Sequence, residues 1–370
     1  MAKHHIVIPR QTKRLVNTLN RTEKIITWDS DNAYPQRISD LISASGVSTR
    51  CVKRFKRFIA GRGFADVLTY RMKVDSDGGT MDKLLNLCAE DYAKHGGFAV
   101  HIRYNGLGEI VERRHVKFAD TRLCSDSDMI AYYDNWDGTS LIKKFNTKDI
   151  VRCNRFDPTS VLKEIDAIEG NTFIEKAGKY TGQILWYSSA GFSVYPTAPI
   201  DSVAEDAETD FQSKLYKNKN IRTSFTSAGM YIQKGESDSN EEREAIQRSL
   251  TEFQGADSAG NIMLVEVQAG QEAPEFKPFN VNTGEDRRFE YHELSVEKSI
   301  VKCFGIPPVL AGVLEAGKMA TSSELKDAYD IYNSETEPDR IVFEEQFSKL
   351  IGKPVSILPL TITFSNAPIN

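Results

Sequence analysis

Asp29 and Asp31 stand two apart in Trp28-Asp29-Ser30-Asp31-Asn32-Ala33-Tyr34-Pro35, an acidic pair of the kind that can share a divalent ion. Ahead of a helix such a pair more often supplies capping and turn acceptors, because short polar side chains take the free backbone N–H groups there. Glu293 and Glu297 share a helix face beside His292, and salt-bridge partners explain them as well as a metal would. His95 and His101 lack any partner at ligand spacing, while His4 and His5 are terminal. The five cysteines, Cys51, Cys88, Cys124, Cys153 and Cys303, form no C-x-x-C pair. That removes zinc-ribbon and dithiol readings and leaves reduced, mostly buried thiols. Gly61-Arg62-Gly63 lacks the third glycine of a dinucleotide loop, and no G-x-S-x-G, Walker loop or H-E-x-x-H occurs. No catalytic residue, metal or cofactor is expected.

The chain that carries these residues has 370 of them, 40% hydrophobic, which suffices for one large core or two to three smaller modules. No apolar run approaches the roughly 18 residues of a membrane span, and the N-terminal residues lack the apolar core of a secretory signal, so a cytoplasmic product is expected. The formal charge is −5. A protein that grips nucleic acid by its phosphates is normally basic. Nucleic acid is therefore either irrelevant to this chain or passes it without being held.

Periodicity divides the chain. Val52, Phe55, Phe58 and Ile59 share one helix face over Cys51–Ile59, with Lys53, Arg54, Lys56 and Arg57 on the other, a cluster read as a solvated face rather than a DNA contact. Met81–His95 reads as a second amphipathic helix closed by Gly96-Gly97. The period then changes to two: Phe98–Tyr104, an Asn105-Gly106 turn and Glu109–Phe118 read as a hairpin. Further strands are expected at Met129–Tyr133, Leu141–Phe145 and Asp149–Arg152, giving one α+β domain over 28–188.

From Ile200 a helix runs to Ile221, acidic in its first half and basic in its second, as the helix dipole favours. Ile200, Ala204, Ala207, Phe211 and Leu215 form its narrow apolar stripe. Gly229–Gln233 and Ile262–Val267 read as strands about a helix ending near Phe253. A second long helix spans Glu285–Phe304, with Val296, Ile300, Cys303 and Phe304 as its seam, and Gly305 and the prolines end it. Thr321-Ser322-Ser323-Glu324 is a capping box opening a helix to about Asn333. Pro338 starts another, with Ile341, Val342, Phe347, Leu350 and Ile351 facing inward, and Pro354–Phe364 is extended.

Phe304-Gly305-Ile306-Pro307-Pro308-Val309-Leu310-Ala311-Gly312, followed by Ala320-Thr321-Ser322-Ser323-Glu324 and then Glu337-Pro338-Asp339, resembles the portal proteins of tailed bacteriophages. The resemblance covers about 28–351 and is strongest after Pro199. It implies a portal-like α+β fold: an N-terminal arm (1–27), an α+β wing (28–199), stem helix 1 (200–223), a β-α-β clip (224–283) and stem helix 2 (284–305). A turn, tunnel loop and tunnel helix (306–336) and a C-terminal wing helix with extended tail (337–370) follow, and the family's helical crown is reduced or absent.

Carried over residue by residue, the resemblance makes Phe304, Gly305, Pro307 and Pro308 the helix-terminating turn and Thr321 and Glu324 the tunnel-helix cap. Val313, Leu314, Glu315, Lys318 and Met319 would face the channel, and Glu241, Glu242, Arg243 and Arg248 in the clip would meet terminase or the adaptor. The implied role is structural, not enzymatic: a ring of about twelve copies at one capsid vertex of the virion, through which the genome is packaged and ejected. The implied partners are copies of itself, the terminase large subunit, a head-tail adaptor, major capsid and scaffolding proteins, and duplex DNA passing without sequence-specific binding. Twelve copies would carry 12 × (−5) = −60 charges, a largely repulsive wall along which phosphates slide. A head-tail adaptor and a metal-dependent nucleic-acid enzyme are the competing readings.

Overall fold

Six of the β-forming runs assemble into one sheet in the computed structural model, which describes residues 15–20, 24–125, 129–134, 136, 150–191, 193–222, 229–232, 275–278, 285–312 and 321–362. The chain forms two units, Met1–Ala204 with Ile300–Asn370, and Glu205–Ser299.

In the first unit, β1 (Leu19–Asn20) and β2 (Ile25–Ile26) pair in a short ribbon. Helices α1 (Tyr34–Ala44), α2 (Gly46–Ala60), α3 (Val67–Arg71) and α4 (Met81–His95) follow. The sheet then collects β3 (Gly97–Tyr104), β4 (Ile110–Val116), β5 (Thr121–Leu123), β6 (Met129–Tyr132), β7 (Val151–Arg155) and β8 (Gln183–Ser188). Its order is β4-β3-β8-β7-β6-β5. All neighbours are antiparallel except β7 and β8. A parallel pair needs a crossover, supplied by the segment carrying α5 (Val161–Asp166) and α6 (Phe173–Lys179). Strand β8 was not anticipated, although it lies inside the sheet. Its Gln-Ile-Leu-Trp-Tyr-Ser run, buried over its first half, has too little alternation to signal a strand. The expected strand at Leu141–Phe145 lies outside the described residues.

The unit closes with part of α8 (Glu285–Cys303), then α9 (Pro308–Ala311), α10 (Ser322–Glu335) and α11 (Glu337–Ile351). On α11 the buried residues are Arg340, Phe343, Phe347 and Leu350, while Ile341 is 47% exposed. The expected inward face is thus corrected. Ile341, Val342 and Phe343 are three consecutive apolar residues spread over most of a turn, and the largest of them takes the core.

That core is built almost wholly from apolar and aromatic side chains, with the Tyr92 hydroxyl donating to Asp339 at 2.7 Å. Phe98 of β3 stacks on Phe343 at 4.6 Å, Tyr92 meets Phe343 edge-on at 5.5 Å, and Phe64 lies 5.5 Å from Phe347. A second cluster is built differently. Trp28 stacks on Tyr195 at 4.5 Å and meets Phe118 edge-on at 5.5 Å. The guanidinium of Arg122 lies 5.6 Å from the Trp28 ring centre and 5.1 Å from that of Trp136. Arg122 is wholly buried, yet its N–H groups donate to Asn32 Oδ1 (2.5 Å), Asn32 O (2.8 Å), Ala119 O (2.7 Å) and Thr121 O (2.7 Å). Burial lowers its pKa to about 10, and carbonyl dipoles rather than a bonded carboxylate hold the charge. Asn32 sits at φ 57, a left-handed conformation that Asn tolerates better than most residues.

The segment after α11 returns to the end of α2. Arg62 N donates to Leu358 O (2.8 Å), Leu358 N to Gly63 O (3.0 Å) and Ala65 N to Ser356 O (2.9 Å). A Cβ at Gly61 (φ 57) would stand 2.0 Å from Leu358 O, so only glycine lets the two backbones approach this closely.

In the second unit, β9 (Gly229–Ile232) pairs antiparallel with β10 (Glu275–Pro278). The expected helix ending near Phe253 and strand at Ile262–Val267 lie outside the described residues. The unit also holds the greater part of α7 (Ala204–Arg222) and of α8. On α7, Ala207 is buried but Phe211 and Leu215 are exposed.

Candidate functional site

The turn that ends α8 is built from backbone first. Gly305 takes φ 62, its N–H donates to Lys302 O (3.0 Å), and Ile306 N–H donates to Val301 O (3.2 Å). These are the two bonds of a Schellman cap, which satisfies the last carbonyls of the helix. Pro307 (φ −53) then leads the chain into extended geometry, and Pro308 occupies the first turn of α9, where its missing N–H costs nothing. Gly312, left-handed at φ 77, closes α9.

Four side chains fix this turn to the rest of the first unit. Tyr332 Oη donates to Phe304 O at 3.0 Å, and burial raises its pKa far above the ordinary phenol value, so it remains a donor. Arg50 Nη1 donates to Ala311 O at 3.1 Å. Cys303 Sγ donates to Pro199 O at 2.9 Å. The Phe304 ring packs edge-on against Phe55 at 6.1 Å. Ile306, Leu310 and Ala311 are buried beneath. Behind them Arg340 joins α2 to the α10–α11 junction, donating from Nη1 to Phe58 O (3.1 Å) and Thr336 Oγ1 (2.9 Å) and from Nη2 to Asn333 O (2.6 Å).

Downstream the chain is fixed again. Glu324 N donates to Thr321 Oγ1 (3.2 Å), and Thr321 N donates to Glu324 Oε2 (2.8 Å), a reciprocal capping box. Of the residues singled out in the sequence, the structure places Phe304, Gly305, Pro307 and Pro308 in the turn, and Thr321 and Glu324 at the start of α10. Val313, Leu314, Glu315, Lys318 and Met319 lie outside the described residues, as do Glu241, Glu242, Arg243 and Arg248. Sequence reasoning missed Arg50, Tyr332 and Arg340. Each acts through a backbone carbonyl distant in sequence, and no local pattern signals that.

The residues that might have done chemistry have other partners. Arg37 donates to both Asp29 (2.5 Å) and Asp31, and Asp31 also accepts from Ala33 N (3.1 Å). Burial opposes the charge on Asp31, but the Arg37 and Ala33 hydrogen bonds outweigh it and lower the pKa. Neither carboxylate caps α1. Glu293 is paired with Lys217 at 2.6 Å. Cys51, Cys88, Cys124 and Cys153 are buried thiols that form no disulfide. No group of three or more potential metal ligands occurs among the described residues.

A cleft of about 500 Å³ is lined by Asn154, Arg155, Asp157, Ser160 and Glu164. Glu164 accepts there from Tyr180 Oη (2.6 Å), Gln183 Nε2 (2.9 Å) and Ser160 Oγ. Burial works against its charge, yet these bonds hold its pKa below the usual carboxylate value. A carboxylate so fully engaged is a structural acceptor, not a poised acid or base.

No protein-family model matches the sequence, and no curated protein does. Among solved structures the chain is similar to one in the virion of a native gene transfer agent (GTA) particle, 16% identical with a TM-score of 0.52, covering 90% of this chain and 85% of that one. It is similar at the same identity and score to a chain in the neck of an empty GTA particle computed with C6 symmetry, over 90% of this chain and 86% of that one. A HK97 family phage portal protein from Corynebacterium diphtheriae aligns over 87% of this chain and 95% of that one, with 9% identity and a TM-score of 0.47. At these identities the likeness is one of fold, and the last alignment carries no weight. The mixed α+β fold expected from the sequence is the fold of this chain, and it is shared with the two GTA chains.

Proposed function

We propose that the chain is the portal subunit of a tailed phage or phage-like particle, one of a ring of identical copies at a single vertex, and that it does no chemistry. The observation that carries the proposal is a fold shared over nine-tenths of the chain with a protein in the neck of an empty GTA particle computed with C6 symmetry. A ring of twelve copies contains that six-fold symmetry. The anchored turn and the capping box support the same reading, since they fix the upstream and downstream flanks of the segment 313–320. In this reading that segment is the tunnel loop, with Val313, Leu314, Glu315, Lys318 and Met319 on the channel. The stem helices are 200–223 and 284–305. The clip, 224–283, meets the terminase large subunit during packaging and an adaptor afterwards, with Glu241, Glu242, Arg243 and Arg248 at that contact. Major capsid and scaffolding proteins surround the wing, and duplex DNA passes the acidic ring without specific contact.

Native mass spectrometry with symmetry-resolved imaging of the purified chain tests this. Closed rings of about twelve copies with an axial hole wide enough for duplex DNA are expected. A chain that stays monomeric even when co-assembled with its capsid and scaffolding proteins sinks the proposal.

A further inference from the structure

Helix α2 turns its apolar face inward and carries Arg50, Lys53, Arg54 and Arg57 along the opposite side. At 1.5 Å per residue the four span roughly 10 Å of one stripe. Lys56, a step further round, is held by Glu90 at 2.7 Å. Lys53, Arg54 and Arg57 make no ion pair with any described residue, and Arg50 reaches the carbonyl of Ala311. Like charges three and four residues apart weaken a helix, so this stripe is a cost to the isolated subunit.

A second surface of the same unit has the complementary character. On α10 and α11, Ile331 is 56% exposed and Ile341 is 47% exposed, large apolar side chains left in water on consecutive helices. Asp327, Asp330, Glu337 and Glu345 are exposed on those helices, and none makes an ion pair with a described residue. Lys326 and Lys349 are the cations exposed on these two helices. Exposed apolar residues within a charged surround have the composition of a protein interface.

We infer, resting on the ring reading above, that the α2 stripe of one copy docks on the acidic α10–α11 face of the next. A ring joined head to tail requires two different, mutually complementary faces on each subunit, and this chain carries both. Duplex DNA would match the cations but would leave the two isoleucines in water and the acids uncompensated. A second copy answers all three features. Opposed charge also sets the register in which neighbours meet and speeds their encounter.

The test uses the full chain and reads ring formation by native mass spectrometry at several salt concentrations. Lys53→Glu with Arg57→Glu is expected to weaken assembly at least about tenfold, and Asp330→Lys with Glu337→Lys to do the same. The chain carrying all four substitutions regains rings, because every interface again opposes unlike charges. Circular dichroism melts of the variants show whether each subunit is folded. If the four-fold variant is folded but does not reassemble, the two faces do not meet and the inference fails. If Lys53→Glu with Arg57→Glu forms rings normally but those rings lose retained duplex DNA, the stripe faces the nucleic acid, and the inference is overturned while the portal reading stands. An unsubstituted chain that forms no ring even with its capsid and scaffolding proteins overturns both.

Discussion

The first unit contains two aromatic clusters that are held by opposite means. Around Phe98, Phe343 and Phe347 the packing is of apolar and aromatic side chains with no buried charge at its centre, and stability comes from area removed from water and from contact. Around Trp28, Tyr195 and Trp136 the centre is a buried guanidinium whose N–H groups are taken by carbonyls and one amide oxygen. The first arrangement asks for volume and accepts several shapes. The second asks for one particular fork of donors, because each carbonyl left unpaired in that setting is expensive. Small changes should therefore have unequal effects in the two places.

The largest expected effect comes from paired conservative substitutions. Arg122→Lys keeps the charge but loses the planar fork, and should cost about 3–5 kcal/mol. Phe343→Leu keeps apolar character and should cost about 1–2 kcal/mol. Urea unfolding of the two variants reads the difference, and equal costs would erase the distinction between the clusters.

An intermediate effect is expected from pH. Burial holds His95 neutral, with its pKa lowered to about 4 from an ordinary 6.5. The unfolded chain binds the proton more readily, so this contribution is complete above pH 6.5 and lost as pH falls from about 6.5 to 4. Its size is on the order of 2–3 kcal/mol. His95→Gln should flatten the stability profile in that window, which melting curves at pH 7 and 4.5 will show. A variant as acid-sensitive as the parent would mean that the histidine is not the source.

The smallest effect has the opposite sign. Burial raises Asp120 to about 6 from 3.8, so the folded state is the better proton acceptor. Its contribution is fully present below pH 3.8 and is lost as pH rises through about 6. Asp120→Asn should gain on the parent at pH 8 compared with pH 4.5. No change in the gap between those two pH values would contradict the assignment.

The apolar cluster was largely legible in the sequence and the polar one was not. Helix α4 matches its predicted span, Met81–His95, because its apolar spacing and its Gly96 stop agree. The ends of α8 and α10 were readable for the same reason: Gly305, the paired prolines and the capping box are local signals. Phe343 was missed only by rotation about its own helix. Arg122 belongs to another category. Nothing near it in sequence distinguishes a buried arginine from the chain's many exposed ones, since its partners Asn32 and Trp28 come from about ninety residues earlier. Strand β8 escaped because a strand buried on both sides loses the alternation that marks one covered on a single side. In the turn, the residues named by pattern were those that shape the backbone. Those that tie it down were invisible.

The place of α11 in the core bears on how the protein is made. Phe343, Phe347, Leu350 and Ile357 complete a cluster whose other buried members, Phe98 and Leu85 among them, are translated far earlier. Between Ala204 and Phe343 the ribosome adds 139 residues, including all of the second unit. At rates of about 5–20 residues per second that is roughly 7–28 s. For that interval the nascent sheet and helices emerge with an aromatic face uncovered, the condition under which incomplete chains associate with one another. Closure of the fold is thus a late event in synthesis, and a chaperone that shields that face would act in the gap between the two halves of one core.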